Sequence, residues 1–389
     1  MNITPDSTAI SDVEILPYYN STSINTSKFE NGTIPSIFLE DSGTPEVTII
    51  LLSLLFFVIG VVGISGNMLV IVSVLSDKKM RTSMTNLLIT NLALSDLAIM
   101  VFGIPEVVMF MRNTGWTLDP SLCKVNRYIL VSSLYGSVLT LLALSVERYI
   151  AIIHPIKAHI FCNKRRLVVV LGCIWPVSWL AGLPTLLFNQ VRQGHPILTL
   201  RYCMIIFPGK HDLYFLVFKY METLLFYFIP LVLQMFLYSF ITKHLFIGTD
   251  RLYRRVLVRD VNGSSMERFS EALQARKGVV KMLILSVLVY FISYSPHQIL
   301  LLWNTFAPRT FHENWAYLAF TMIVAYINSA ANPILYSIFS HNFRQCYKNF
   351  VCVYCIHKQK RNFRKHSNGT GNSPRLWRHI SLATASTNF

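Results

Sequence analysis

The sequence predicts an all-α membrane protein, a seven-transmembrane helix bundle followed by a short amphipathic eighth helix. Of its 389 residues, 53% are hydrophobic and 14% are charged, which is too apolar for an ordinary soluble domain. Seven apolar runs are each long enough to cross a bilayer, and their apolar residues are continuous rather than confined to one stripe. The runs lie near residues 48–75, 84–111, 122–152, 167–188, 213–246, 272–303 and 314–339.

Basic residues are unevenly distributed among the segments that connect these runs. The net charge of +16 could suggest nucleic-acid binding, but most of the 35 Lys and Arg residues fall on one side of the predicted membrane. They lie in 76–83, 153–166, 340–389, and 247–271 with its flanks. By the positive-inside rule this side is cytoplasmic and the N-terminus is extracellular. Topology and contact with anionic membrane lipids therefore explain the charge, and no nucleic acid is expected as a partner.

Polar tails flank the bundle, which is predicted over residues 48–340. Residues 1–47 are rich in Ser, Thr, Asn and acids, cannot build a core, and are predicted to form a disordered extracellular tail. Sequons at Asn2, Asn20, Asn25 and Asn31 favour glycosylation there over chance matches. Residues 341–355 predict the amphipathic eighth helix, and residues 356–389 a disordered cytoplasmic tail.

The third run begins at Cys123 and ends in Glu147-Arg148-Tyr149. Along a helix, Cys123 and Arg148 are about 37 Å apart, so they lie at opposite membrane faces. An ionisable triplet at the foot of a spanning helix is usually functional or paired. This triplet resembles the DRY/ERY triplet of rhodopsin-like, class A, G-protein-coupled receptors.

Motifs in the other runs resemble the same family over roughly residues 50–350. They are Asn67 in the first run, Asn91 to Asp96 in the second, Trp175-Pro176 in the fourth, Pro230 and Tyr238 in the fifth, Pro296 in the sixth, and Asn332-Pro333-Ile-Leu-Tyr336 in the seventh. Where the family usually has Cys-Trp-x-Pro, this chain has Ser293-Tyr294-Ser295-Pro296, and the usual Phe one turn earlier is Tyr290.

The resemblance implies a multi-pass plasma-membrane receptor that binds an extracellular ligand and activates a heterotrimeric G protein by outward movement of the sixth helix. Arrestin and a receptor kinase would act on the C-terminal tail. The residues that match the family's switch are Glu147, Arg148, Tyr149, Tyr238, Arg276, Tyr294, Pro296, Asn332, Pro333 and Tyr336. Many relatives have an acid at the place of Arg276, so this chain is expected to lack one attraction between the third and sixth helices.

Other function classes are disfavoured. The sequence contains no metal cluster, nucleophile elbow or phosphate loop of an enzyme. A transporter or channel would be expected to show internal repeats or broken helices around a midplane site, and neither is found.

Asp96 falls near the centre of the second run, where a lone acid would be costly. The resemblance implies a sodium pocket formed by Asp96, Ser137, Asn328 and Asn332, and a simple hydrogen-bonded cluster is the alternative. No other cofactor is expected.

The resemblance also implies a disulfide between the third helix and the second extracellular loop. Cys123 and Cys203 are the two cysteines on the extracellular side of the predicted topology, which agrees with that bond. Cys346, Cys352 and Cys355, near the predicted eighth helix, are candidates for palmitoylation, with unmodified thiols as the alternative.

The outer third of the bundle indicates the class of ligand. Leu130 stands where amine receptors have an Asp, and the seventh run has no Lys for retinal. Mixed polar and charged candidates for ligand binding are present at Glu106, Arg127, Glu222, His297, Gln298 and Asn304. Glu106 and Arg127 form either a salt bridge within the bundle or contacts to a peptide's terminus, amide or basic side chain.

A mouth of mixed charge suits a peptide better than a lipid. Residues 145–158, and the sequence Gly103-Ile-Pro-Glu106, resemble neuropeptide receptors such as those for thyrotropin-releasing hormone, neuromedin U and ghrelin. A small amidated neuropeptide and Gq-class coupling, rather than Gi, are therefore favoured. A lipid or another small non-amine ligand is the alternative.

Overall fold

The computed structural model describes residues 46–112, 114–156, 158, 164–193, 201–248, 264–306, 315–340 and 343–347. Within them, seven helices are long and apolar enough to cross a membrane, which confirms the predicted bundle. Six of them are α1 (Glu46–Ser76), α2 (Met84–Met111), α3 (Pro120–Ile153), α4 (Lys164–Phe188), α6 (Ser264–Phe306) and α7 (Trp315–Phe339). The remaining one, α5, is a continuous helical run of four segments. A short 3₁₀ turn, Met80–Thr82, joins α1 to α2.

The helix α5 changes its winding along its length. It is α-helical over His211–Thr223, π-helical over Leu224–Phe228, α-helical again over Ile229–Thr242, and π-helical over Lys243–Gly248. In the first π-helical segment, Leu224–Phe228, here called the wide turn, the Ile229 N–H bonds to the Leu224 carbonyl, five residues earlier. Pro230 follows directly and has no N–H to offer the Phe226 carbonyl, so regular α-helical bonding is interrupted here.

The helices α2 and α3 lie at the centre of the bundle. Their most apolar stretches are 56% buried, whereas those of α1 and α4 are 22% buried. The helix α3 packs against α2, α4 and α5 and also contacts α6. The apolar residues exposed on α1 and α4 form the kind of surface that faces lipid.

Buried polar side chains join neighbouring helices. The Asn67 amide donates to the Gly63 and Ser329 carbonyls, 2.9 Å each, and so ties α1 to α7. Asn91 donates to Thr140 and accepts from the Trp175 indole, at 2.8 and 2.9 Å, joining α2 to α3 and α4. Inside lipid such bonds satisfy groups that would otherwise remain unpaired.

A disulfide between Cys123 and Cys203 marks one end of the bundle, here called the disulfide end, and confirms the predicted pair. Cys203 lies in the antiparallel hairpin of β1 (Asn189–Gln193) and β2 (Arg201–Ile205). The Trp116 N–H also donates to the Arg201 carbonyl at 2.5 Å. The hairpin is therefore fixed to α3 and to the α2–α3 connection. The opposite end is here called the Arg148 end.

Some predictions concern residues outside the described ranges. These are the glycosylation sequons, the two polar tails, Cys352 and Cys355. Asn304 is helical in α6, but its side chain is not described. Of the predicted eighth helix, residues 343–347 are helical and the rest lies outside the described residues, so this helix stays a prediction.

Candidate functional site

At the Arg148 end, α3 presents a network centred on its penultimate turn. The Arg148 guanidinium bonds to both oxygens of Glu147, with Nε to Oε2 at 2.5 Å and Nη2 to Oε1 at 2.6 Å. Nη2 also donates to the Thr85 hydroxyl of α2, which donates to Glu147 Oε1 at 3.0 Å. Arg148 is therefore paired with its neighbour Glu147, and Thr85 is an additional partner. Neither partner lies on α6, where Arg276 is exposed.

Tyrosines from α5 and α7 are buried inside the bundle. Tyr238 accepts a hydrogen bond from Ser145 at 3.1 Å and is buried. Tyr336 is fully enclosed and stacks on Phe343 at 5.5 Å, yet its hydroxyl has no hydrogen-bond partner among the described residues. Tyr149 is half-buried, with its ring edge against His154.

Asp96 is fully enclosed in the middle of the bundle and accepts three hydrogen bonds. Ser137 and Ser329 donate to Oδ1 at 3.2 and 3.1 Å, and Asn332 donates to Oδ2 at 2.7 Å. The prediction included Asn328, which is equally buried, but neither of its amide atoms has a partner among the described residues. Ser329, one residue further along α7, contacts the carboxylate instead, because that position of the helix faces α2.

The donor set at Asp96 suits a small hard cation. A carboxylate and two hydroxyls supply oxygen ligands, and the enclosed Asn328 Oδ1 is a further oxygen without a partner in the described structure. Asn332 presents its nitrogen to Asp96. Through this bond Asn332 positions the carboxylate.

Toward the disulfide end, Glu106 of α2 and Arg127 of α3 form a salt bridge of 2.6 Å. Their side chains are 16% and 35% exposed. Among the described residues, Glu106 Oε2 and Arg127 Nε have no hydrogen-bond partner, so this end-on pair leaves one acceptor and one donor unused.

Glu222 of α5 is also internally paired. Tyr135 of α3 donates to Oε1 and Lys219 to Oε2, at 2.8 Å each. His297 of α6 interacts electrostatically with Lys219, Glu222 and Arg127. Both oxygens of Glu222 are therefore engaged by the protein itself, and Lys219 is the charged group left partly exposed.

Three hydrogen bonds join α5 to α6 beside these charges. Thr223 donates to Gln298 at 2.9 Å, and the Tyr227 and Ser295 hydroxyls are 2.7 Å apart. Tyr290 donates to the Phe226 carbonyl at 2.6 Å. Tyr294, two residues before Pro296, is buried and packs on the Tyr290 ring at 4.9 Å.

Two other predicted residues contact apolar side chains or backbone instead of these charged groups. Leu130 is partly buried against the apolar cluster formed by α1, α2 and α7, as an aliphatic side chain would be. The Cys346 thiol donates to the Ser73 carbonyl of α1 at 3.7 Å and is only partly exposed.

Sequence reasoning missed Thr85, Tyr135, Lys219 and Ser329. Lys219 could have been found from its i, i+3 spacing to Glu222. The other three meet their partners across helices, and the partner depends on how each helix is rotated.

Comparison with known proteins identifies the family. The protein family described as "7 transmembrane receptor (rhodopsin family)" matches residues 66–336 of this chain. Neuropeptide receptor 15 of Caenorhabditis elegans is 32% identical over 310 residues, which cover 77% of this chain and 89% of that protein. Neuromedin-U receptor 1 of Homo sapiens is 32% identical over 336 residues, covering 81% and 75%. Thyrotropin-releasing hormone receptor of Mus musculus is 28% identical over 322 residues, covering 79% of each chain.

The match includes the helices that hold Asp96, Arg148 and Tyr336, and it confirms the resemblance to neuropeptide receptors. Seven spanning helices in this family indicate a multi-pass plasma-membrane protein. The chain belongs to the rhodopsin family of seven-transmembrane receptors, whose members are G-protein-coupled signalling receptors and not enzymes.

Proposed function

We propose that this receptor binds an extracellular neuropeptide at its disulfide end and activates a heterotrimeric G protein, of the Gq class in preference to Gi, at its Arg148 end. In this orientation the N-terminus is extracellular. Peptide binding favours a conformation in which α6 moves outward and opens a groove for the G protein. The relatives named as receptors for neuropeptides, neuromedin U and thyrotropin-releasing hormone support the peptide ligand.

The observation that carries this proposal is the pair of chemically distinct ends joined by buried polar groups. The disulfide end presents two ion pairs and a histidine, a surface suited to polar peptide groups. The Arg148 end presents an arginine held by a neighbouring glutamate and threonine. Asp96 lies between the two ends and joins α2, α3 and α7.

The charges at the disulfide end favour a neutral peptide terminus. Glu106 with Arg127, and Glu222 with Lys219, are already paired, so neither pair offers an isolated countercharge for a free ammonium or carboxylate. A primary carboxamide both donates and accepts, which matches the unused acceptor of Glu106 and the unused donor of Arg127 once the pair rotates to admit it. An amidated C-terminus is therefore the favoured ligand group. These polar groups give no support to a lipid ligand.

A screen of synthetic neuropeptides tests the ligand class. Cells that express the full chain with a promiscuous G protein would be assayed for calcium mobilisation, and each active peptide would be retested as amide and free acid. We expect at least one active peptide whose amide is ten or more times as potent as its acid. Activation by lipids alone, with no peptide active, would overturn the peptide assignment.

The same cells test the coupling and the orientation. Without the promiscuous G protein, the calcium response should persist and be blocked by a Gq inhibitor, whereas a fall in cyclic AMP alone would indicate Gi. An N-terminal epitope should be accessible to antibody on intact cells. An epitope exposed only after permeabilisation would reverse the orientation.

Further partners follow from this proposal. We propose that sodium binds at Asp96, with Ser137, Ser329 and Asn328 as the further oxygen ligands, and that arrestin and a receptor kinase act on the C-terminal tail. Of the palmitoylation candidates, Cys352 and Cys355 are favoured over Cys346, because the Cys346 thiol faces the Ser73 carbonyl of α1.

A further inference from the structure

The interface between α5 and α6 contains a hydrogen bond that depends on a proline. In an α-helix the carbonyl of residue 226 would accept from the N–H of residue 230, but that residue is Pro230, which has none. The Tyr290 hydroxyl of α6 donates to this Phe226 carbonyl at 2.6 Å, in a buried position. A side chain of one helix therefore donates to a backbone carbonyl of another helix to which Pro230 can offer no N–H.

This bond has a well-defined place relative to the proline of α6. Pro296 lies inside α6, and Tyr290 precedes it by about two helical turns on the Arg148 side. The Tyr227–Ser295 and Thr223–Gln298 bonds lie at Pro296 or on its other side. Tyr290 is therefore the member of this set in the half of α6 that a bend at Pro296 would displace.

Because the acceptor is a backbone carbonyl, the bond tolerates little relative movement of the two helices. A backbone carbonyl inside a helix cannot follow a departing partner as a side chain can, and in lipid no bulk water replaces the lost bond. Displacement of α6 against α5 at this level would take the Tyr290 donor away from the Phe226 carbonyl, and Pro230 has no N–H to replace it. The structure contains this bond together with Arg148 held by Glu147 and Thr85, and we take this conformation as the resting one.

We infer that Tyr290 is a positioning residue whose hydroxyl, bonded to the Phe226 carbonyl, holds α6 against α5 in the resting conformation and so limits signalling without ligand. The inference rests on the proposed movement of α6. The bond is available because the chain has Tyr at a position where the resemblance implies Phe, and because Pro230 offers the Phe226 carbonyl no N–H of its own.

The principal variant is Tyr290→Phe, which keeps the ring and its packing on Tyr294 while removing the hydroxyl. Loss of one buried hydrogen bond should shift the ratio of active to resting receptor by about two- to tenfold. Ligand-independent signalling at matched surface expression should rise accordingly. Unchanged or lower basal signalling would overturn the inference. Tyr227→Phe is the matched control, because it removes a hydroxyl from the same interface without unpairing a backbone carbonyl, and it should raise basal signalling less.

A second variant identifies the acceptor. Pro230→Ala supplies an N–H that can bond to the Phe226 carbonyl within α5. In that background, Tyr290→Phe should change basal signalling much less than in the natural chain. An equal effect in both backgrounds would show that the Phe226 carbonyl is not the partner through which Tyr290 acts.

A direct distance measurement separates this inference from the proposed function. Spin labels would be placed at Arg81 and Arg276, both exposed, in the full-length protein with its free cysteines replaced. Double electron–electron resonance between the two labels then reports the position of α6. Tyr290→Phe should increase the population with the longer distance, even if no G protein couples. Identical distance distributions in the two proteins would overturn the inference and leave the peptide-receptor assignment intact.

Discussion

At the scale of single residues, the three carboxylates Glu106, Glu222 and Asp96 each have a partner on their own or a neighbouring helix. Glu106 meets Arg127, Glu222 meets Lys219 and Tyr135, and Asp96 meets two serines and an asparagine. Pairing is expected because an isolated charge away from water is costly. What differs among these groups is their access to ligand, and this difference separates structural from functional roles.

Glu106 and Arg127 should affect ligand potency more than folding. Arg127 is 35% exposed, so it can be solvated when its partner is removed, and a partly exposed bridge contributes only about 1 kcal/mol or less. Glu106→Gln and Arg127→Gln should each reduce the potency of a peptide agonist tenfold or more, with surface expression intact. If expression is lost instead and recovers when the two charges are exchanged, the pair is structural.

Asp96→Asn should leave peptide binding largely intact and abolish the sodium dependence of agonist affinity. Ser329→Ala should weaken that dependence more than Asn328→Ala, because the Ser329 hydroxyl touches the carboxylate and the Asn328 amide does not. Radioligand displacement in sodium and in potassium buffers measures the effect. Equal affinity of the natural receptor in both buffers would rule out the cation site.

At the scale of elements, close contacts between helices depend on small residues at particular places. A Cβ at Gly103 of α2 would overlap the Tyr326 ring of α7, whereas a Cβ at Gly60 of α1 would meet no atom within 4 Å. Glycine at 103 therefore allows α7 to pack against α2 one turn below Glu106.

These two glycines give a matched pair of variants. Gly103→Ala should lower the melting temperature and the agonist potency, because overpacking costs about 1–3 kcal/mol and displaces Tyr326 beneath the Glu106–Arg127 pair. Gly60→Ala should be neutral or slightly stabilising, since alanine favours a helix over glycine by about 0.5–1 kcal/mol. A thiol-reactive thermal unfolding assay compares them. Similar melting temperatures for both variants would show that Tyr326 adapts without cost.

At the scale of the whole molecule, much of the architecture was predictable from residue types alone. The seven helices, the Cys123–Cys203 disulfide and the Arg148–Glu147 pair follow from apolar length, family motifs and adjacency in sequence. Contacts across helices were less predictable, because a one-residue step turns a side chain by about 100° around the axis. Ser329 rather than Asn328 at Asp96 shows this limit.

At the Arg148 end, an added attraction between α3 and α6 would test the equilibrium between the resting and active conformations of the receptor. Arg148 is held by α3 and α2, and the exposed Arg276 of α6 offers it no attraction. Arg276→Glu should add one, lowering ligand-independent signalling and agonist potency about two- to fivefold at equal surface expression. Arg81→Glu, an exposed charge reversal at the same membrane face, is the control and should have a smaller effect. Unchanged or higher basal signalling in Arg276→Glu would show that other contacts restrain α6, with Tyr238 and Tyr336 the next candidates.

The wide turn Leu224–Phe228 also affects which single-codon deletions this receptor's gene can tolerate. A wide turn contains one residue more than an α-helical turn needs, so deleting a single codon there would restore regular winding and shorten α5 by only about 1.5 Å. Because the wide turn takes up the extra residue, Glu222 and Lys219 would keep nearly the same face after the deletion and stay beside Tyr135. A single-residue deletion in the α-helical stretch Ile229–Thr242 would instead turn the two parts of α5 by about 100° relative to each other. Single-codon deletions in this turn should therefore yield receptors that reach the cell surface with the natural ligand preference, while single-codon deletions within Ile229–Thr242 should lose surface expression or the response to ligand.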